Sequence, residues 1–369
     1  MALATASIPE VEHIGDYQIH TWAARTRERR RIEFQYLSAK DLEHSLNDYI
    51  NNFPAEFHQS EQARLIFEAL IADASDNEPH APAIEIFDNN IGLETTPPWE
   101  FVYTNELWYG EDVPPPDIKN LKSCGCIGKC DPRSRTCACV KRQQTFLKPF
   151  AQDEQIPCTW EGANFLYDKK GKLQFHGYPI FECNEFCGCD DDCPNRVVQH
   201  GRECIVSINN TPDKGWGVFA GPKKIPKGTF VGIYSGELLT EKEADERGKF
   251  YNKFGRTYLF YIDFFYLEDE PEHFVVDAYH AGNFTRFLNH SCDPNCALEA
   301  CYINEANMRK PLLAIFTTCD VEPYEELCFS YYGAPDEDEE DKPAPKTASG
   351  DAVYAICRCG SKRCRGQMF

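Results

Sequence analysis

Arg286-Phe-Leu-Asn-His-Ser-Cys-Asp-Pro-Asn295 decides how the rest of the chain is understood. Arg286, Asn289 and His290 bring hydrogen-bonding groups that suit a small polar ligand. Cys292 follows at once and can bind a metal ion as a thiolate. Asp293-Pro294 then ends any helix or strand, because proline lacks an N–H and restricts the residue before it. A polar site, a metal ligand and a forced turn thus share one short run. Taken alone, the run also fits a plainer reading, in which Asn and His cap a turn and Cys292 is a small buried hydrophobe.

The whole chain narrows the choice. Its 369 residues are enough for two or three domains with a substantial core. Charged residues make up 26% and hydrophobic residues 42%, as in ordinary soluble proteins. The net charge of −21 argues against holding duplex DNA by the general surface, which requires phosphate neutralisation. It suits a basic partner, although acidity also serves solubility. The 19 cysteines are an odd number, and Met1-Ala-Leu-Ala-Thr-Ala-Ser7 has no basic or long apolar leader. No apolar stretch approaches a membrane span, so no membrane partner is expected. Clustered cysteines therefore indicate metal ligands rather than disulfides.

Residues 1–98 are expected to form an N-terminal helical arm and linker. Arg25, Arg27, Arg29, Arg30 and Arg31 form a basic cluster, either a solvated face or a contact for nuclear import or nucleic acid. Ser38 and Asp41 open one helical stripe, Leu42, Leu46, Tyr49, Ile50 and Phe53. Ser60 caps a second stripe carrying Ala63, Phe67 and Leu70. Trp22, Phe34 and Tyr36 lack the flanking pattern of an aromatic cage. Residues 73–98 look like a linker. Trp99, Phe101, Tyr103 and Trp108 follow as an extended arm packed on the next domain. Residues 204–333 hold short β-branched and aromatic runs at 229–234, 257–262 and 312–316, with a helix expected over 238–248. Residues 334–352 include the acidic run 336–341 and read as a flexible linker.

The opening stretch resembles the RFxNHSCxPN motif of SET-domain protein lysine methyltransferases. Three further motifs of that family stand in the same order. They are Gly215-Trp-Gly-Val218, Tyr234-Ser-Gly-Glu237 and Glu326-Leu-Cys-Phe-Ser-Tyr331, the last similar to ELxFxY. The likeness spans about residues 95–369. The cysteine-rich block ahead of these motifs is similar to that of the subfamily methylating lysine 9 of histone H3, in a fungal layout. The resemblance implies a mainly β protein with some α. Its SET fold would have several small sheets and a threaded C-terminal segment. Zinc-binding pre-SET (99–203) and post-SET (353–369) segments would flank the SET domain (204–333).

Dense thiolate binding is evident in the spacing itself. Cys124, Cys126, Cys130, Cys137 and Cys139 form one block, and Cys183, Cys187, Cys189 and Cys193 another. Three tetrahedral zincs need twelve thiolate contacts, which six terminal and three bridging thiolates supply. The triangular cluster itself is what the resemblance implies. Cys158 lies outside the pattern and reads as a buried thiol. Cys357, Cys359 and Cys364 leave a fourth zinc one ligand short, and Cys292 is the natural completion.

The resemblance also implies methyl transfer from S-adenosylmethionine to a lysine amine, with the histone H3 N-terminal tail as partner. Chromatin-associated proteins, a nuclear location on chromatin and no specific DNA recognition come with it. Matched motif by motif, Tyr331 and Tyr234 would be catalytic. Lys214, Gly215, Trp216 and Gly217 would cradle the cofactor, with Tyr258, Arg286, Asn289 and His290 contacting it elsewhere. Phe329 would line the substrate channel and permit trimethylation. There are three departures from the family pattern. Lys214 stands where relatives often have Arg, a change that should matter little if the contact runs through the backbone. Ser330 replaces an acid, and Phe369 would replace a tryptophan as the aromatic lid. Two other readings fit parts of the sequence: a methyltransferase for another histone or a non-histone lysine, and an inactive zinc-stabilised chromatin scaffold.

Overall fold

The computed structural model describes residues 59–75, 78, 80–88, 95–97, 101–110, 112–148, 165–251, 258–331 and 356–366. The Arg25–Arg31 cluster, the 38–53 helix, Trp99, Cys158, the acidic run and Phe369 lie outside the described residues.

The elements in chain order begin with α1 (Glu61–Ala74), β1 (Glu85–Phe87), β2 (Val102–Tyr103), β3 (Trp108–Tyr109), α2 (Ala138–Leu147) and β4 (Ile180–Phe181). They continue with β5 (Val206–Thr211), β6 (Gly215–Ala220), β7 (Phe230–Ile233), β8 (Glu237–Thr240), α3 (Glu241–Tyr251) and β9 (Leu259–Tyr261). The last are β10 (Phe274–Asp277), β11 (Ala281–Gly282), β12 (Asn289–His290), β13 (Cys296–Tyr302), β14 (Leu312–Thr317) and β15 (Glu326–Phe329). Strands dominate, in four small sheets. Their orders are β1-β5-β6-β15-β12, β3-β8-β10-β9, β4-β13-β14-β7 and β2-β11. The threading lies in the first sheet. β15 inserts between β6 and β12, pairing antiparallel with the former and parallel with the latter.

Sequence and structure agree on several elements. Ser60 caps α1, its hydroxyl accepting from the Ala63 amide at 3.1 Å. Ala63, Ile66, Phe67 and Ile71 are buried in the same core as Val206, Val218 and Leu327. Each fully buried large side chain of this kind stabilises the fold by about 1.5–3 kcal/mol. The strands expected near 229–234, 257–262 and 312–316 are β7, β9 and β14.

Two local expectations change. The helix over 238–248 begins only at Glu241, because Leu238 and Leu239 pair with Val276 and Val275 across β8 and β10 and are fully buried. The stretch 73–98 is more than a linker. It carries β1, which adds in parallel to β5. Aromatic residues 101–109 do not stop at the cysteine block. They form β2 and β3, which join β11 and β8.

The cysteine-rich region is fastened to the main β-sheets through α2 and β4. Gln143 on α2 donates to the Pro179 carbonyl at 2.9 Å and accepts from the Phe181 amide at 3.0 Å. β4 in turn runs parallel to β13, with Ile180 opposite Cys301.

Candidate active site and metal centres

Three of the motifs become neighbouring strands. Asn289 and His290 form β12 and lie opposite Cys328 and Phe329 of β15. Glu326 and Leu327 of β15 lie opposite Phe219 and Val218 of β6. The turn before β6 needs a left-handed residue, which Gly215 supplies at φ +72°. At position 217 a Cβ would come within 2.8 Å of Glu326 Oε1 and 2.9 Å of Asn289 Nδ2. Only glycine leaves room for that contact.

The contact is the polar centre of the site. Asn289 Nδ2 donates to Glu326 Oε1 at 2.9 Å and to the Trp216 carbonyl at 3.2 Å. This network fixes the amide orientation and leaves Oδ1 as the acceptor that Asn289 can offer a ligand. The other Glu326 oxygen pairs with the Lys214 ammonium. The Lys214 side chain is therefore part of this network, beyond any backbone contact. Glu326 was legible as part of a motif, but its role became evident only when β6, β12 and β15 came together.

A second group of side chains is aromatic. The Phe329 ring lies 5.0 Å from the Tyr331 ring and 6.4 Å from that of Tyr234, centroid to centroid. Tyr331 donates through its hydroxyl to the Leu288 carbonyl at 2.9 Å, and its amide donates to His290 Nδ1 at 3.2 Å. Tyr234 donates to the Tyr258 carbonyl at 3.2 Å. Burial pushes the Tyr234 phenol well above its ordinary range, so it stays neutral. Burial first, and then Arg365, hold the His290 imidazole below its ordinary value.

Arg286 reaches this group through packing. Its guanidinium lies 4.1 Å from the Phe101 ring centre and 4.2 Å from that of Tyr258. Its nitrogens donate to the Ala278 and Tyr279 carbonyls. Asn295, which the sequence left without a role, ties the end of the opening stretch to β15. It donates to the Glu326 carbonyl at 2.8 Å and accepts from the Cys328 amide at 2.9 Å.

The cysteines converge as their spacing implied. Among the described residues, one thiol group is Cys124, Cys130, Cys183 and Cys189; others are Cys126, Cys130 and Cys137, and Cys139, Cys183 and Cys187. Cys130 and Cys183 belong to two groups apiece, as bridging ligands must. Cys193 contacts both of these thiols. Cys292, Cys357, Cys359 and Cys364 form a separate set. Sulfur–sulfur separations of 3.7 Å recur at Cys130–Cys183, Cys139–Cys187 and Cys292–Cys357. Disulfides require about 2.05 Å. Four thiolates about 2.3 Å from a tetrahedral zinc lie about 3.8 Å apart. The thiols therefore fit zinc. Burial opposes ionisation of Cys359, yet hydrogen bonds from Ser361 and neighbouring groups bring its pKa down to about 6.

The Cys292 set joins the chain's end to the polar site. Cys292 Sγ is 3.6 Å from His290 Nε2, whose ring also accepts from Tyr331. Arg358, between two of the ligands, donates to the Asp213 carbonyl at 3.0 Å, next to Lys214.

Comparison with known proteins agrees with this architecture. Residues 215–332 match the SET domain, and residues 76–196 match the Pre-SET motif. An H3 lysine-9 specific histone-lysine N-methyltransferase of Cryptococcus neoformans is 35% identical over 83% of this chain. The chain spans only 20% of that relative's length. The histone-lysine N-methyltransferase SUV39H2 of Gallus gallus is 32% identical, across 94% of this chain and 76% of the relative. The crystal structure of KRYPTONITE with mCHH DNA, H3(1-15) peptide and SAH superposes with a TM-score of 0.60. It is 26% identical over 78% of this chain and 51% of that one.

Fold and site together define a SET-domain protein with a pre-SET cysteine cluster. More narrowly, the chain belongs to the Su(var)3-9 family of histone-lysine N-methyltransferases.

Proposed function

We propose that the chain is a protein-lysine N-methyltransferase that transfers methyl groups from S-adenosylmethionine to lysine 9 of the histone H3 tail, up to the trimethyl state. The observation that carries this reading is the meeting of β6, β12 and β15, which gathers the Lys214–Glu326–Asn289 network beside the Tyr234, Phe329 and Tyr331 rings. Family membership and a similar structure that holds SAH and an H3 peptide support it.

The cofactor, when bound, supplies a methyl group on a sulfonium. Gly215, Trp216 and Gly217 would cradle it from β6, with Tyr258, Asn289 and His290 on other sides. Asn289 Oδ1 would accept from its ammonium group. The substrate lysine has to lose its proton to react, although its free pKa is near 10.4. An apolar channel lowers that value by disfavouring the charged amine. Tyr331 and Tyr234 would orient the amine as neutral hydrogen-bonding groups, and alignment would supply much of the rate. Arg286 would hold Tyr258 in place.

The zinc complement would be four. Three would sit on Cys124, Cys126, Cys130, Cys137, Cys139, Cys183, Cys187, Cys189 and Cys193, and one on Cys292, Cys357, Cys359 and Cys364. All are structural, since fully thiolate-coordinated sites leave no open position. The functional division would be a pre-SET unit over 99–203, a SET unit over 204–333 and a post-SET unit over 353–369. The place of action would be chromatin in the nucleus, in heterochromatin formation. Mass spectrometry of an H3-tail peptide after incubation with S-adenosylmethionine tests the reading. Methylated lysine 9 supports it, and an unmodified peptide at full zinc occupancy refutes it.

A further inference from the structure

Beside β7 lies a cavity of about 430 Å³ whose lining includes none of Tyr234, Phe329 and Tyr331. Its size falls within the range of small-ligand sites. Three parts of the chain build it. Glu78, Asn105, Glu106 and Tyr109 come from the segments before the cysteine block, Val198 and Gln199 from its end, and Phe230, Ile233, Ile303 and Leu312 from the catalytic sheet. The floor is aliphatic and aromatic, with Ile233, Ile303 and Leu312 only partly buried against the core beneath.

The charge in the lining is one-sided. Among the described residues Lys310 is the one cation of the lining, and its ammonium is committed to Glu305 at 3.0 Å and to the Pro114 and Pro115 carbonyls at 2.8 and 2.9 Å. Glu305 is committed in turn, accepting from the Asp117 and Asn307 amides. That leaves the carboxylate of Glu78 without a cation from the lining. Glu78 lies flat on Gly201, where a Cβ would come within 2.8 Å of its Cγ. Burial raises the Glu78 carboxyl, and Arg202 only partly offsets this. The Arg202 guanidinium turns its donors to the Cys204 and Pro82 carbonyls instead. A desolvated carboxylate at the rim of an aliphatic pocket suits one kind of guest, a cation carried on a methylene stem.

We propose that this cavity binds an arginine or lysine side chain of a basic peptide, stem against Ile233, Ile303 and Leu312, and cation at Glu78. The site is separate from the lysine channel and does not depend on the methyltransferase reading. One backbone link joins the two sites. Ile233 precedes Tyr234, and its carbonyl accepts from Asn283 and Thr285, which lead into the Arg286 stretch.

The test uses the full zinc-loaded chain with methyl-labelled isoleucines and three probes: N-acetyl-arginine amide, its neutral isostere N-acetyl-citrulline amide, and free agmatine. The arginine probe should shift the methyl signals of Ile233 and Ile303, and citrulline should not. Glu78→Gln should weaken the arginine probe about tenfold, as loss of a charge-assisted hydrogen bond does. Ile303→Lys, which would place a tethered ammonium in the cavity, should abolish binding. Shifts confined to residues around Phe329, equal binding of citrulline, or a Glu78→Gln affinity equal to wild type would each overturn the proposal. Agmatine binding more tightly than the arginine amide would overturn the peptide as source.

Discussion

Phe329 is buried at 4% exposure between the Tyr234 and Tyr331 rings, and its phenyl edge offers no hydrogen bond. A partly methylated amine has to rotate before each further transfer, which requires room and freedom from a fixed partner. Phe329→Tyr adds a hydroxyl that would hold the amine. Wild type should carry an H3-tail peptide to the trimethyl state, and the variant should stall at mono- or dimethyl with the first transfer retained. A mass-spectrometric time course distinguishes this from simple packing damage, which slows every step alike. Glu326 invites a second substitution. Glu326→Ala strands Lys214 and frees the Asn289 amide to rotate. The KM for S-adenosylmethionine should rise about tenfold, the value of one hydrogen bond to a charged group, with kcat changed less. Steady-state kinetics showing unchanged KM would contradict the positioning role.

At the scale of elements, the decisive contact joins the post-SET segment to β12. Cys292 sits two residues beyond His290, and the thiols grouped with it, Cys357, Cys359 and Cys364, all come from the C-terminal segment. Cys364→Ser should lower activity about a hundredfold or more while circular dichroism of the sheets stays near wild type, because the core strands do not depend on that metal. Wild-type rates in this variant would break the link between zinc and cleft. Much of this was legible beforehand. The NHSC and CxCx4C patterns named the four thiols that converge, and Ser60 marked its helix. Leu238–Thr240 was not, since two adjacent buried leucines fit a strand or a helix equally until β10 supplies pairing partners. The Lys214–Glu326–Asn289 network was also hidden, because 112 residues separate its lysine from its carboxylate. The same holds for β1, a three-residue strand whose only signal is its parallel neighbour β5.

Across the whole molecule, metal content and charge bear on the account. Elemental analysis of purified, active chain should give four zincs, and two or fewer at full activity would remove the trinuclear cluster. The net charge of −21 favours a basic tail over a polyanion. The central claim, methyl transfer to lysine 9 of H3, is tested most directly by one paired assay. The chain is incubated with S-adenosylmethionine and either an H3-tail peptide or the same peptide with alanine at its ninth position, and products are located by tandem mass spectrometry. The account predicts methyl groups on lysine 9 alone and no product from the alanine peptide. Equal methylation of both peptides, or of neither, would contradict it.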